Sequence, residues 1–298
     1  MASFEMIVLG CSGGPRETNL SGYLLTPAGQ NNFICLDAGS LISGLEIAGK
    51  KGHFGPLSFI DILKNHVKAY LISHSHLDHV LGLIVGSQED SPKRIYGVDV
   101  TINSIRDHLF NGSIWPNYGN EGTDPIGHYQ YHRLNFQKKT PIDHTEMHVE
   151  AFLLCHSKHC PSTCFLVEWK GEYLLYFGDT AADGMHGKFQ LKEIWKRVAP
   201  LVRAKKLKGI LLECSYPSGQ TGAGVEAHLD TTSMQHELKM LSEISESSLS
   251  GLKVVVTHRK DSFQKDRDSK QLIEEELTNS NTLGIHYIFP TQGEKILF

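Results

Sequence analysis

The stretch His74-Ser75-His76-Leu77-Asp78-His79 places four side chains with metal-binding chemistry within six residues. Imidazole and carboxylate donors suit zinc and similar first-row divalent ions. They follow Leu71-Ile72-Ser73, an apolar run with the character of a strand end. Alternate side chains of an extended segment face the same way, so His74 and His76 could grip one ion together. A helix beginning at Val80 would turn the chain and let Asp78 and His79 address a second ion close by. Four donors at this spacing, directly after a buried strand, are poorly explained by an accidental histidine-rich loop.

The elements that must hold these donors are legible as short apolar, β-branched runs bounded by Gly, Pro, Asn or Asp. Strands are expected at 4–9, 22–26, 33–37, 69–73, 94–98, 147–154, 164–169, 173–177, 209–213, 253–257 and 286–289. Leu191, Ile194, Trp195, Val198, Leu201 and Val202 repeat at the spacing of one buried helix face, as do Met234, Leu238, Leu241 and Ile244. Thr232 and Gln235 would form a capping box at the start of the second helix. Strands dominate the first half, and strands alternate with helices in the second. That order suits two sheets packed face to face with helices outside, a layered α/β architecture. Residues 108–145 are rich in Gly, Asn, Pro, His and Tyr and show no period. A stretch this long without regular structure suits a lid or binding loop. The expectation is one domain over 1–298 that carries an insertion at about 108–145.

The chain has 298 residues, 40% of them hydrophobic and 21% charged, as in an ordinary globular protein with a sizeable core. Its formal net charge of −4 gives no overall pull toward nucleic acid or an anionic membrane. Two short basic stretches stand out, Arg203 with Lys205, Lys206 and Lys208, and the pair Arg259-Lys260. The first reads as a solvated helix end. The N-terminus lacks the basic start and long apolar stretch of a secretion signal, and no apolar run approaches the roughly 20 residues that span a bilayer. A cytoplasmic protein is expected, provided no leader has been removed. Cys11, Cys35 and Cys214 sit in or beside apolar runs and read as small hydrophobes. The spacing of Cys155, Cys160 and Cys164 matches no common zinc knuckle, so these too read as buried thiols.

The motif H-x-H-x-D-H after a strand resembles the hallmark of the metallo-β-lactamase superfamily. That resemblance implies a four-layered αββα sandwich. It also implies further ligands in order: a histidine after a later strand, as at His156, with His159 as a second candidate three residues on. An aspartate after glycine should end another strand, as in Phe177-Gly178-Asp179-Thr180, and a histidine should end a strand near the C-terminus, as in Val254-Val255-Val256-Thr257-His258. Carried over, His74, His76 and His156 would hold one metal, Asp78, His79 and His258 the other, and Asp179 would bridge them. The Gly-rich turn Gly10-Cys11-Ser12-Gly13-Gly14-Pro15 and the segment Asp37-Ala38-Gly39 also match superfamily members. Asp37 would orient a ligand or loop without touching metal.

The motif continues through Val80-Leu81-Gly82-Leu83-Ile84-Val85-Gly86-Ser87, which looks like the signature of the class II cyclic-nucleotide phosphodiesterases. Gln88 departs from that signature, where Ala or Pro is usual. Ile114-Trp115-Pro116-Asn117 resembles a stretch bordering the substrate pocket in that family. Trp115 or Tyr118 could stack on a purine, or could equally anchor the loop to the core. Glu213-Cys214-Ser215-Tyr216 followed by His228 resembles the acidic-small pair and phosphate-contacting histidine of phosphodiester-cleaving members, which makes Ser215 and His228 candidate substrate contacts.

The implied cofactors are two divalent ions, zinc by preference, with manganese or iron accepted by the same ligands. Such a pair could neutralise an anionic phosphodiester, acidify a water, and hold the attacking and leaving oxygens in line. Asp78 would orient the nucleophile. His228, protonated, would stabilise the developing charge or protonate the departing 3′-oxygen. The expected activity is hydrolysis of a small cyclic nucleotide, cAMP or cGMP, to the 5′-nucleotide, with neither nucleic acid nor membrane as partner. A homodimer is left open.

Competing readings are a tRNA 3′-end nuclease, which usually needs a basic arm not visible here, and an arylsulfatase of the same fold. A non-catalytic metal-binding module would have lost ligands, and none is lost. Di-iron oxidoreductases of this fold carry H-x-E-x-D, where this chain has His76.

Overall fold

A computed structural model describes residues 2–184, 190–222, 224–262 and 268–298. The first sheet contains β1 (Phe4–Gly10), β2 (Gly22–Pro27), β3 (Phe33–Ala38), β4 (Val67–Leu71), β5 (Lys93–Gly97), β6 (Tyr129–Arg133) and β14 (Lys295–Leu297). The second contains β7 (Thr140–Pro141), β8 (His148–Leu154), β9 (Ser162–Trp169), β10 (Glu172–Phe177), β11 (Leu207–Glu213), β12 (Lys253–Thr257) and β13 (His286–Ile288). Their spatial orders are β14-β1-β2-β3-β4-β5-β6 and β13-β12-β11-β10-β9-β8-β7.

The strand period sorts each run between two cores. On β1, Phe4, Met6 and Val8 join the core between the sheets, together with Phe165, Leu174, Tyr176 and Val255 of the second sheet. Ile7 and Leu9 point the other way, into a core roofed by helices. Buried on both faces, such strands read as continuous apolar runs.

The helices over the first sheet are α1 (Ile42–Lys50), α2 (Phe59–Asp61, continued by a π-helical turn Ile62–His66), α3 (Leu77–Gly86) and α4 (Asp99–Ser104, continued by Ile105–Leu109). Those over the second are α5 (Gln190–Arg203), α6 (Thr231–Ser245) and α7 (Ser269–Asn279). Trp195 on α5 is fully buried in the outer core of the second sheet, and its indole N–H donates to Glu237 Oε2 at 2.9 Å. The result is an αββα sandwich. No helix among the described residues is long and apolar enough to cross a membrane.

In each sheet one run of strands is parallel: β3 to β6 in the first and β10 to β13 in the second. Segments leaving the carboxyl ends of parallel strands gather on one edge of a sheet, where such folds place ligands. Here the ends of β3, β4, β10, β11 and β12 supply the chemistry described below.

Several local expectations are corrected. The third helix begins at Leu77 instead of Val80, with His76 as its N-cap, so Asp78 and His79 lie in its first turn. The capping box of α6 is made by Asp230 and Ser233, not Thr232 and Gln235. The 108–145 stretch contains β6 and β7, and Tyr129 and Tyr131 of β6 are buried on either side of exposed Gln130. An edge strand with one polar face lacks the apolar run that marks the others. Helix α1 carries Gly44 and Gly49, which lower helix propensity and hide it from pattern reading. In α7 only Ser269, Ile273 and Leu277 are buried, a stripe too narrow to stand out.

Helix α3 is seated by a close backbone approach: Gly82 N–H donates to Gly39 O at 2.9 Å. A Cβ at Gly82 would lie 2.5 Å from Leu41 N and 2.7 Å from Ala38 O. Gly82→Ala is therefore expected to cost about 1–3 kcal/mol in urea unfolding. An unchanged midpoint would mean that α3 does not rest on this contact.

Candidate active site

The first donor group comprises His74, His76, His156 and Asp179. His74 ends the extended segment after β4 and is fully buried; His76 Nδ1 stands 3.1 Å from both His74 Nε2 and His156 Nε2. Asp179 Oδ2 lies 3.8 Å from His74 Nε2 and from His156 Nε2. The second group comprises Asp78, His79, Asp179 and His258. His258 Nε2 is 3.2 Å from both Asp78 Oδ2 and Asp179 Oδ2, and His79 Nε2 is 3.2 Å from Asp179 Oδ1. Asp179 thus belongs to both.

These donors fit divalent cations on three counts. A tetrahedral ion with bonds of about 2.0–2.1 Å sets its donors about 3.3–3.4 Å apart, close to the separations seen. His79 Nε2 and Asp179 Oδ1 are buried without a hydrogen-bond partner among the described residues. Finally, the buried carboxylates of Asp37, Asp179 and Glu213 converge with that of half-buried Asp78, which calls for compensating positive charge.

Protonation agrees with this. Burial, reinforced by neighbouring histidines, holds His74 well below the usual imidazole range, and burial brings His156 down to about 4. Both keep a free lone pair. For Asp78 and Asp179 burial opposes ionisation, but His79 and His258 outweigh it and hold both carboxyls down. Burial would also depress His79, yet Asp179, Asp37 and Asp78 pull it up, so a positive charge is favoured at that ring.

A second layer fixes the donors. Asp37, fully buried at the end of β3, accepts from Ser73 N at 2.7 Å, Ser73 Oγ at 2.6 Å, His79 Nδ1 at 2.7 Å and Tyr176 Oη at 2.5 Å. This sets the His79 tautomer and leaves Nε2 for the cluster. Ala227 O plays the same part for His156 Nδ1 at 2.9 Å. Ser215 Oγ bridges Glu213 Oε2 at 2.6 Å and His258 Nδ1 at 2.8 Å. The Gly-rich turn after β1 approaches closely: Gly14 N–H donates to Asp78 Oδ2 at 3.0 Å, and a Cβ at Gly13 would meet the His258 ring at 2.3 Å. Asp37 and His258, with φ of 52° and 57°, are non-glycine residues in the left-handed region. Such strain, about 1–3 kcal/mol each, gathers where structure over-determines a functional geometry.

His228 stands over the cluster, stacked on His258 with centroids 5.1 Å apart. Its Nδ1 is 2.9 Å from Glu213 Oε1, and its Nε2 is 3.0 Å from Lys260 Nζ. Burial would lower its pKa, but Glu213 outweighs this and raises it.

The structure brings His74, His76, Asp78, His79, His156, Asp179, His228 and His258 together, with Asp37 behind them. His159 is exposed outside the cluster. Ser215 is fully buried, with its Oγ hydrogen-bonded between Glu213 and His258. Trp115 and Tyr118 do not reach the cluster. Trp115 Nε1–H donates to Ser87 Oγ at 3.1 Å, and both aromatics pack on the helix-roofed core. Ser87 follows Asp78 by nine residues along α3, which places it about 13 Å away at ~1.5 Å per residue. Of the three clustered cysteines only Cys164 is buried; Cys155 and Cys160 are half-buried, and Cys160 Sγ lies 3.5 Å from Ser75 Oγ. Glu213 is the acid of the acidic-small pair that the sequence offers, while Lys260, which reads there only as half of a basic pair, is missed; its signal is a lysine two residues after the strand-end histidine. Arg259, its neighbour, is buried over the Phe289 ring.

The sandwich superposes along nearly its whole length on a metallo-β-lactamase fold protein, YhfI from Bacillus subtilis. The TM-score is 0.63 and identity 14%, with 98% of this chain and 99% of that one covered. Fold and site together define a metallo-β-lactamase-fold hydrolase. Residues 3–293 match the family of class-II cAMP phosphodiesterases, and the chain belongs to that family. A 3′,5′-cyclic-nucleotide phosphodiesterase of Aliivibrio fischeri is 35% identical over 99% of this chain and 93% of its own. The crystal structure of unliganded yeast PDE1 aligns with a TM-score of 0.87, at 25% identity and full coverage of both chains.

Asp37→Asn turns an acceptor into a partial donor facing four N–H or O–H groups. A loss of about 2–3 kcal/mol is expected in thermal unfolding of the metal-free protein. Zinc affinity by competitive chelation should also fall about 10–100-fold. Unchanged affinity would show that His79 is held without Asp37.

Proposed function

We propose that the chain is a metal-dependent 3′,5′-cyclic-nucleotide phosphodiesterase that opens cAMP or cGMP to the 5′-nucleotide. The observation that carries this reading is the pair of donor groups sharing Asp179, in a chain of the class-II family. His74, His76, His156 and Asp179 would hold one divalent ion, and Asp78, His79, Asp179 and His258 the second. Zinc is the preferred occupant, with manganese or iron accepted. When bound, the ions supply positive charge to the phosphoryl oxygens and acidify an attacking water.

The chain's own residues do the rest. The Asp78 side chain, 21% exposed, stands at the mouth of the cluster, with Oδ2 anchored by Gly14 N–H, so it can orient the attacking water. His228, turned by buried Glu213, presents Nε2 toward the mouth and can hand a proton to the departing 3′-oxygen. Glu213 is held ionised against burial by His228, and it also accepts Thr180 N–H at 2.8 Å, so the histidine's support is fixed in place. The walls around His74, Asp179 and His258 are buried and limit water to this mouth.

Protein stripped of metal should be inactive toward cAMP and cGMP and regain 5′-nucleotide formation when reloaded with zinc or manganese. Asp78→Ala should stay inactive, and His228→Ala should lose about 10²–10⁴-fold in kcat. Two bound metals with no cleavage of either nucleotide would overturn the substrate assignment. For Trp115→Ala the expected result is a KM for cAMP within about twofold of the parent, together with lowered stability as the Ser87 clamp is lost. A KM raised tenfold would return Trp115 to the substrate pocket.

A further inference from the structure

Lys260 lies two residues beyond His258, on the segment leaving β12. The left-handed turn at His258 sends its ring into the cluster and brings Lys260 to the same mouth. The backbone of Lys260 is clamped on both sides: its N–H donates to Ser215 O at 3.2 Å, and its carbonyl accepts from Ser269 Oγ at the start of α7. The ammonium sits 3.0 Å from His228 Nε2 and 5.3 Å from the centroid of the Tyr216 ring. No carboxylate among the described residues lies within ion-pair distance of it, whereas the lysines at 93, 139, 196, 208 and 270 each have one. A half-buried cation placed against an imidazole and an aromatic face, without an anion, is a poor arrangement for stability alone.

We propose that Lys260 is a substrate-contacting residue, which with His228 forms a two-pronged seat for a phosphate oxygen beside the metal cluster. This rests on the phosphodiesterase reading of the site and extends it. The geometry suits an oxyanion: the 3.0 Å contact holds the ammonium beside His228 Nε2, and an oxygen that both groups address would take the place of that contact, with Nε2 carrying its proton toward the ligand. An ammonium has three N–H donors, so Lys260 can address the ligand either beside its contact to an unprotonated His228 or, once Nε2 is protonated, together with it. Charge points the same way. Lys260 brings a cation to the mouth with no carboxylate among the described residues within ion-pair distance. A phosphodiester carries one negative charge. Fixed in advance, that cation can stabilise the charge that builds on the phosphoryl oxygens without reorganising.

The test compares Lys260→Met and Lys260→Arg with the parent protein, all zinc-loaded and checked for metal content. Three readouts are taken: cleavage of cAMP, cleavage of bis(p-nitrophenyl) phosphate, and binding of inorganic phosphate by calorimetry. Lys260→Met is expected to keep its metals and to lose about 10–100-fold in kcat/KM on both diesters. Its phosphate affinity should fall by a similar factor. Lys260→Arg, which keeps the charge, should recover most of the loss. Full activity and phosphate affinity in Lys260→Met would overturn the proposal. So would loss of metal along with rate in both variants, which would mark Lys260 as a scaffold residue, or a loss confined to cAMP, which would place it against the nucleoside. If the parent cleaved no cyclic nucleotide, the phosphodiesterase reading would fail by itself, while the aryl diester and phosphate binding would still decide the role of Lys260.

Discussion

A carboxylate buried at the end of the third strand ties the parts of this site together. Asp37 accepts hydrogen bonds from Ser73 at the end of β4, from His79 in the first turn of α3 and from Tyr176 on β10 of the opposite sheet. An ionised group with no exposure would cost several kcal/mol on its own; four donors aimed at it offset that cost. Because the donors come from both sheets and one helix, satisfying Asp37 fixes how those elements meet. His79 and, through Ser73, the backbone that carries His74 take their positions from it. The metal-binding geometry is therefore a consequence of how the core satisfies one acid.

The same division of labour recurs around the cluster. Each donor histidine whose far nitrogen is accounted for turns it to a fixed acceptor or hydroxyl: Asp37 for His79, Ala227 O for His156, Ser215 for His258. Tautomers are thus set before any ligand arrives. The outer support is also where the two halves of the chain communicate, since Ser215 joins β11 to His258 after β12 while Glu213 turns His228. The hydroxyl at 215, a candidate substrate contact by resemblance, lies buried between Glu213 and His258.

How much of this could be read from the chain follows from distance along it. His74 to His79 were legible because alternation on a strand and one turn of helix decide which way neighbouring side chains face. His156, Asp179 and His258 could be picked out only through a family resemblance, since no local period connects residues that far apart. Topology alone brings them together, at the carboxyl ends of β8, β10 and β12. Glu213 was legible only as the acid of the acidic-small pair that the resemblance supplies, since an acid ending an apolar strand otherwise looks like the strand's boundary. Lys260 was hidden because next to Arg259 it looks like surface charge, and only the burial of Arg259 separates the two. Trp115 leaves two readings open in the sequence, a stacking platform or an anchor, and its indole N–H fastens that stretch to the far end of α3.

The short strand β14 pairs with β1, so the first sheet, which carries Asp37 and His74, is completed by residues 295–297. The elements between β1 and β14 in the chain are made before residues 295–297, so a nascent chain would first carry β1 without this partner. Until then β1 would present an unpaired, strongly apolar ladder to its surroundings. In the interval between the making of β1 and of β14, this sheet edge stands open to wrong pairing.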